Sequence, residues 1–181
     1  MFEGYRTVIP GCMLNLHCLT YEAAVTAAIR AAKRRIWMTV YVLNANLNRA
    51  GDPVTYILHL LRQAQAAGCD VRIIIDSPRE NRPNYHANKV MIRELEAWGI
   101  PVAVPPRRTT CHAKIILVDS TAAFIGSHNL AQSSLRNPLD CSAEIRDPAI
   151  IAGVAEFFKG LWRLVEMQSS AAPMAVVNGK D

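Results

Sequence analysis

The fold class the sequence predicts is α/β: a mixed β-sheet flanked by helices on both faces, an α-β-α sandwich. Three observations predict it. Helical and strand patterns alternate over the first hundred residues, the signature of parallel strands joined by crossover helices. Two apolar strands then follow one another across the tight Asp119-Ser120-Thr121 turn, which adds an antiparallel pair. Finally, 181 residues, 51% apolar and 19% charged, suit one globular domain with a sizeable core.

The elements follow in order. Thr20 is read as the cap of a helix over Tyr21 to Lys33, with Ala24, Ala27, Ala28 and Ala31 on a small-residue face. Ile36 to Val42 reads as a strand. Asp52-Pro53, an N-cap followed by proline at the first helical position, opens a helix that runs to Ala67 and stops at Gly68. Val71 to Ile75 is a short apolar strand, and Ser77 to Asn84 a loop rich in proline, arginine and asparagine. A third helix spans Tyr85 to Trp98 and ends at Gly99; Ile100 to Val104 is the next strand, and Pro105-Pro106 breaks the chain. His112 to Val118 and Ala122 to Ser127 are the paired strands, with a third at Cys141 to Arg146. Asp147-Pro148 opens a last helix to about Val165. Residues 1–167 therefore form a single domain, and 168–181 are expected to be a flexible tail.

Several function classes fall away. No apolar run is long enough to span a bilayer, and Met1 to Pro10 carries Glu3 and Arg6 but no apolar signal core. The expectation is a cytoplasmic protein without stable membrane insertion. The five cysteines, Cys12, Cys18, Cys69, Cys111 and Cys141, are odd in number and lack C-x-x-C spacing, so neither a disulfide framework nor a zinc knuckle is expected. Most should be small core residues, with Cys111 facing away from its neighbour His112. Twenty basic residues stand against fifteen acidic. The cluster Arg30, Lys33, Arg34, Arg35 suits a solvated helix C-terminus. Arg79 with Arg82, and above all Arg107 with Arg108, suit attraction to a phosphate-rich partner.

The chemistry concentrates in His112-Ala113-Lys114, Asp119 five residues on, and Gly126-Ser127-His128-Asn129. His112 and Lys114 are two apart, so on a strand an imidazole and an ammonium share one face. Ser127 and Asn129 have the same spacing at the end of the paired strand, and Gly126 would let the backbone approach a ligand closely. The set suits a phosphodiester. Lys114 neutralises non-bridging oxygens, Ser127 and Asn129 donate hydrogen bonds, and His112 attacks phosphorus or moves protons. It does not suit a metal, because no carboxylate cluster accompanies it and a lysine repels a divalent cation. No cofactor is implied.

These residues resemble the phospholipase D, or HKD, superfamily, whose pattern H-x-K-x4-D-x6-G-S-x-N is matched by His112, Lys114, Asp119, Gly126, Ser127 and Asn129 at every fixed position. Outside the motif, Ala27 to Lys33, Gly68 to Ile73, Trp98 to Val102 and Ile145-Arg146-Asp147-Pro148 followed by Phe157 to Trp162 are similar to the family framework. The resemblance implies that one histidine attacks phosphorus to form a phosphohistidine, while a second protonates the leaving oxygen and then activates water. His112 would be the nucleophile or the acid, Lys114 and Asn129 would bind phosphate with Ser127 assisting, and Asp119 would be structural.

The sequence departs from the family in two ways. It holds one motif where two are normally needed, and His86 with Lys89 has the wrong spacing. Small members of the family solve this by dimerising, so a homodimer with a shared site is implied. The family's histidine-orienting glutamate falls, by spacing, on Asp140; Glu144 has the same strand parity and could substitute. His128, the variable position, points away from Ser127 and Asn129 by parity and reads as structural or as part of the rim. His17, His59 and His86 lack partner patterns; for His86, which lies beside Arg79, Arg82 and Asn84, lining a substrate groove is the minority reading. Trp37, Phe157, Phe158 and Trp162 read as core. Tyr41, whose default is also core packing, and Asn44 sit at a strand end where α/β sheets bind ligands, and so are weak rim candidates. Three functions stay open. They are a metal-independent nuclease or nucleic-acid phosphodiesterase, a lipid phosphodiesterase or phosphatidyl transferase, and a catalytically silent nucleic-acid-binding module.

Overall fold

A computed structural model describes residues 6–9, 12–15, 18–76, 84–106 and 109–170; for 6–9, 12–15, 18–19 and 169–170 only the backbone is described. Arg79, Arg82, Arg107, Arg108 and His17 lie outside the described residues, as do most of the predicted Ser77–Asn84 loop and the last eleven residues.

The chain forms β1 (Arg6–Ile9), β2 (Cys12–Asn15), α1 (Cys18–Ala31), β3 (Arg35–Val40), β4 (Leu43–Asn44), α2 (Pro53–Ala66), β5 (Asp70–Ile75), α3 (Tyr85–Ala97) and β6 (Val102–Ala103). There follow β7 (Ile115–Val118), β8 (Ala122–Gly126), β9 (Leu130–Ala131), α4 (Gln132–Leu135), β10 (Ser142–Ile145) and α5 (Pro148–Ser170). Eight strands make one mixed sheet in the order β1-β2-β10-β8-β7-β3-β5-β6, and β4 pairs with β9 in a second, two-stranded one. The expected parallel half is β3-β5-β6, and the antiparallel half begins where β3 meets β7.

Strand alternation builds the two cores. Ile36, Met38 and Val40 of β3, with Ile116 and Val118 of β7, face α1, α2 and α3, where Val25, Ile29, Ile57, Leu61, Met91 and Leu95 are buried. Trp37, Ile74, Leu117 and Ala123 point to the opposite face, against the α5 stripe Ile151, Ala155, Phe158, Trp162 and Val165. That 3–4 residue spacing is the helical period a covering helix needs. The predicted α-β-α sandwich is therefore the observed fold.

The boundaries differ in instructive ways. α2 begins and ends as expected: Asp52 accepts from the Thr55 N–H at 2.8 Å, and Gly68, at φ 87°, follows the helix. α1 begins at Cys18, so Thr20 lies inside its first turn instead of capping it. Tyr21 of that turn is drawn into the core between the rings of Phe124 and His128. α5 runs past Val165 to Ser170, because no glycine or proline interrupts it at the predicted boundary. The expected strand from His112 is shorter: its ladder with β3 ends at the Thr39–Ile115 pair, so His112 and Ala113 extend beyond it, while the Lys114 carbonyl still accepts from the Gly126 N–H of β8 at 3.3 Å. The N-terminal hairpin β1-β2, docked on β10, is not among the strands the sequence predicts.

Candidate active site

The segment Cys111–Lys114 leaves the sheet beside the C-terminal ends of β3 and β5, where parallel α/β sheets commonly gather ligand groups. Thr39 Oγ1 accepts from the Ile115 N–H at 3.1 Å and so fixes where the ladder stops. Beyond it, the exposed His112 and the half-buried Lys114 come together as the i, i+2 spacing predicts. Lys114 Nζ lies 3.4 Å from His112 Nε2 and donates to the His112 carbonyl at 2.9 Å. Tyr41, just past the end of β3, supplies a wall to both. Its ring centroid is 4.5 Å from that of His112 and 5.0 Å from the Lys114 ammonium. Of the two weak rim candidates, Tyr41 thus reaches the site; Asn44 is an exposed residue of β4.

Burial of Lys114 lowers its pKa below the ordinary lysine value, while the Asp140 carboxylate and Cys111 act in the opposite direction. Desolvation disfavours the charged ammonium, and a nearby anion favours it.

The G-S-x-N end is organised by Asp140. Its Oδ1 accepts from Ser127 Oγ at 2.8 Å, and its Oδ2 from Ser134 Oγ at 2.5 Å and Asn137 Nδ2 at 3.4 Å. Ser134 Oγ in turn accepts from the Asn129 N–H at 2.8 Å. One carboxylate thus ties both polar motif residues together, directly at Ser127 and through Ser134 at Asn129. Asn129 Oδ1 accepts from the Val42 N–H at 3.3 Å, which joins this end of the motif to the segment carrying Tyr41. Of the two acidic candidates, Asp140 is the one in contact with the motif. Glu144 is buried in β10, with Oε1 held by Arg146 at 2.6 Å.

At Gly126 a Cβ would overlap Ser142 Oγ, Ser142 Cα and the Cys141 carbonyl, so its missing side chain makes room for the chain entering β10. Asp119, at φ 51°, sits at the opposite end of β7 from His112. Its carboxylate accepts the backbone N–H groups of Lys33, Arg34 and Arg35, each at 2.9 Å. It therefore splices the β7–β8 turn to the start of β3. His128 is 2% exposed, stacked on Tyr21 at 4.1 Å, with Nδ1 2.8 Å from Ser142 Oγ. Burial lowers its pKa, with Asp140 acting the other way. His59 lies exposed beside Trp98 and His86 beside Tyr85. Of the cysteines whose side chains are described, Cys69 and Cys111 are buried free thiols, and Cys141 is a half-buried one.

Sequence reasoning missed Ser134, and with it Asp76, Asn84 and Asn88, three buried polar residues near the same strand ends. Asp76 carried a weak signal, a carboxylate directly after the apolar β5. The asparagines carried none, since their roles depend on the chain crossing above them.

The family model described as "Cardiolipin synthase, PLD-like domain" matches residues 25–162. Cardiolipin synthase 2 of Bacillus cereus is 29% identical over 134 residues, covering 74% of this chain and 24% of that protein. Cardiolipin synthase A of Pseudomonas putida is 33% identical over 110 residues, covering 60% and 21%. The chain therefore spans about a quarter of the length of these curated relatives. Among solved structures, the phospholipase D family member Nuc from Salmonella typhimurium superposes with TM-score 0.63 at 24% identity, covering 78% of this chain and 86% of that one. NucT from Helicobacter pylori gives 0.65 at 13% identity, covering 90% and 96%. Members of the superfamily act on phosphodiester bonds, as hydrolases or transferases. The family match runs from within α1 to within α5 and takes in the whole motif, so this chain belongs to the phospholipase D superfamily as a PLD-like domain.

Proposed function

We propose that the chain is a metal-independent phosphodiesterase that works through a phosphohistidine on His112, with nucleic acid as its substrate and a homodimer as its working form. The observation that carries the reading is the placement of an exposed imidazole nitrogen 3.4 Å from an ammonium, at the strand ends of an α/β sheet. In the first step, His112 Nε2 bonds to phosphorus as the P–O bond to the leaving group breaks. The leaving oxygen takes its proton from His112 of the partner subunit. In the second step that imidazole, now neutral, removes a proton from water; the new P–O bond forms as the N–P bond breaks. Lys114 offsets charge on the non-bridging oxygens, and Asn129, whose Oδ1 is engaged, offers its Nδ2 protons. Ser127, whose hydroxyl is turned to Asp140, acts mainly in holding that carboxylate.

Two histidines are needed and the chain supplies one in the motif, so a two-fold axis must bring two copies together. Twenty basic against fifteen acidic residues favour a polyanionic substrate. A second reading, lipid phosphodiester transfer, draws on the cardiolipin synthase relatives and on Leu139, which is 88% exposed one residue from Asp140.

The test is turnover in EDTA of single-stranded DNA, RNA, phospholipid vesicles and bis(p-nitrophenyl) phosphate. Wild-type protein should cleave nucleic acid, and a folded His112→Ala protein should not. Activity lost in EDTA and restored by magnesium would refute the histidine mechanism. Turnover of lipid alone would select the second reading.

A further inference from the structure

Beneath His112 lies a polar cluster that the motif does not include. Asp76, Asn84 and Asn88 are 1%, 0% and 0% exposed. A buried carboxylate is strongly disfavoured unless its oxygens are satisfied. Here both are satisfied. Oδ1 accepts from the Cys111 N–H at 2.7 Å and Oδ2 from Asn84 Nδ2 at 3.0 Å. Asn88 uses its whole amide: Oδ1 accepts from the Leu43 N–H at 2.9 Å, while Nδ2 donates to the Tyr41 carbonyl at 2.9 Å and the Asp76 carbonyl at 3.0 Å. Asn84 Nδ2 also donates to the Tyr41 carbonyl, at 3.1 Å.

The partners of this cluster are its meaning. Cys111 immediately precedes His112, and Tyr41 is the ring against which His112 packs. Leu43 completes the segment Tyr41–Val42–Leu43, whose middle N–H holds Asn129. One buried cluster thus grips the backbone before His112, the carbonyl of the residue beside it and the 41–43 segment that holds Asn129. An apolar core would pack as well, but it would not set hydrogen-bonded register between three chain segments so far apart in sequence.

We propose that Asp76, Asn84 and Asn88 are positioning residues for the reaction. They touch no substrate; they hold His112, through Cys111 and Tyr41, and Asn129, through the 41–43 segment, in their reactive arrangement. This rests on the phosphodiesterase reading above. Misplacing a reacting group by about 1 Å costs on the order of 100-fold in rate, so the cluster should act on kcat far more than on KM.

Two variants test it. Asp76→Asn keeps the shape but sets a donor against a donor at Cys111 or at Asn84, or else turns the Asn84 amide so that its bond to the Tyr41 carbonyl is lost; each arrangement breaks the network. Asn84→Ser removes both Nδ2 bonds while keeping a residue that suits the start of α3; it decides the matter should Asp76→Asn fail to fold. Each is measured for kcat and KM on bis(p-nitrophenyl) phosphate and for the His112 ring resonances by NMR without substrate, at a temperature where melting shows it folded. The expected result is a kcat lowered by about tenfold or more, within the range misplacement allows, with KM little changed and the His112 resonances moved. A folded variant in which either kcat or the His112 resonances stay at wild-type values overturns the proposal. Should wild type turn over no phosphodiester, the phosphodiesterase reading fails, and the resonances alone then decide whether the cluster positions His112.

Discussion

Asp119 is the motif residue whose role can be tested most sharply, because its contacts separate stability from chemistry. It lies at the far end of β7 from His112 and ties that turn to the α1–β3 connection through three backbone N–H groups. Replacing it with alanine removes all three bonds. Each is worth about 0.5–1.5 kcal/mol, and partial exposure argues for the lower half of that range, so the bonds together contribute about 2 kcal/mol. The residue also sits at φ 51°, where aspartate is tolerated and alanine costs about 1 kcal/mol more. A total near 3 kcal/mol corresponds to a fall in Tm of about 6–12 °C for a domain of this size. Asp119→Asn should fall less, since the amide oxygen can still accept from Arg34 and Arg35. Partial burial raises the Asp119 pKa, but the N–H groups of Arg35, Lys33 and Arg34 outweigh it and hold the pKa below the ordinary 3.8. The carboxylate therefore stabilises the fold above that value, and the gap between wild type and Asp119→Ala should narrow as pH falls through the lowered folded-state pKa, leaving the pH-independent backbone cost of alanine at φ 51°. The assays are thermal melts across pH and turnover at a temperature where both proteins are folded. An unchanged Tm, or a folded Asp119→Ala protein with no turnover, would refute the structural assignment.

Three further outcomes follow from the site. In mixed populations of wild-type and His112→Ala subunits, heterodimers have one imidazole and should be nearly inactive; activity falling only in proportion to the mutant fraction, with exchange verified, would mean each subunit carries a complete site. Burial lowers the Lys114 pKa while Asp140 raises it, so Asp140→Asn should move the Lys114 titration, followed by NMR of its side chain, to lower pH. A titration that stays in place would show that the Asp140 carboxylate does not act on Lys114. Burial lowers the His128 pKa below the ordinary 6.5, so below that pH the unfolded chain takes up a proton that the folded one refuses. Wild-type stability, measured by urea unfolding against a His128→Gln reference, should decline by up to about 1.4 kcal/mol per pH unit as the pH falls below 6.5; a pH-independent difference would contradict this.

The sequence by itself determined what is local. The helix start at Asp52-Pro53 and the glycines at 68 and 99 act within a turn of the backbone they cap, so their signals survive without tertiary context. The i, i+2 spacing of His112 and Lys114 brought them to one face even though the strand proved shorter than expected, because an extended backbone keeps its alternation beyond the ladder. The alternating pattern of the first hundred residues likewise announced the parallel half of the sheet. What only the tertiary structure decided is everything that joins distant segments. The β1-β2 hairpin gains its place from β10, more than a hundred residues away. Gly126 is required by the closeness of Cys141 and Ser142. Asp140 rather than Glu144 meets the motif because the α4–β10 connection turns it toward Ser127 and Ser134, while β10 buries Glu144 beside Arg146. Asp76 bonds Cys111 across 35 residues and Asn129 bonds Val42 across 87. A hydrogen bond is decided by the meeting of two groups within about 3 Å, and for groups so far apart along the chain that meeting is set by the packed sheet and helices, not by either residue's neighbours in sequence.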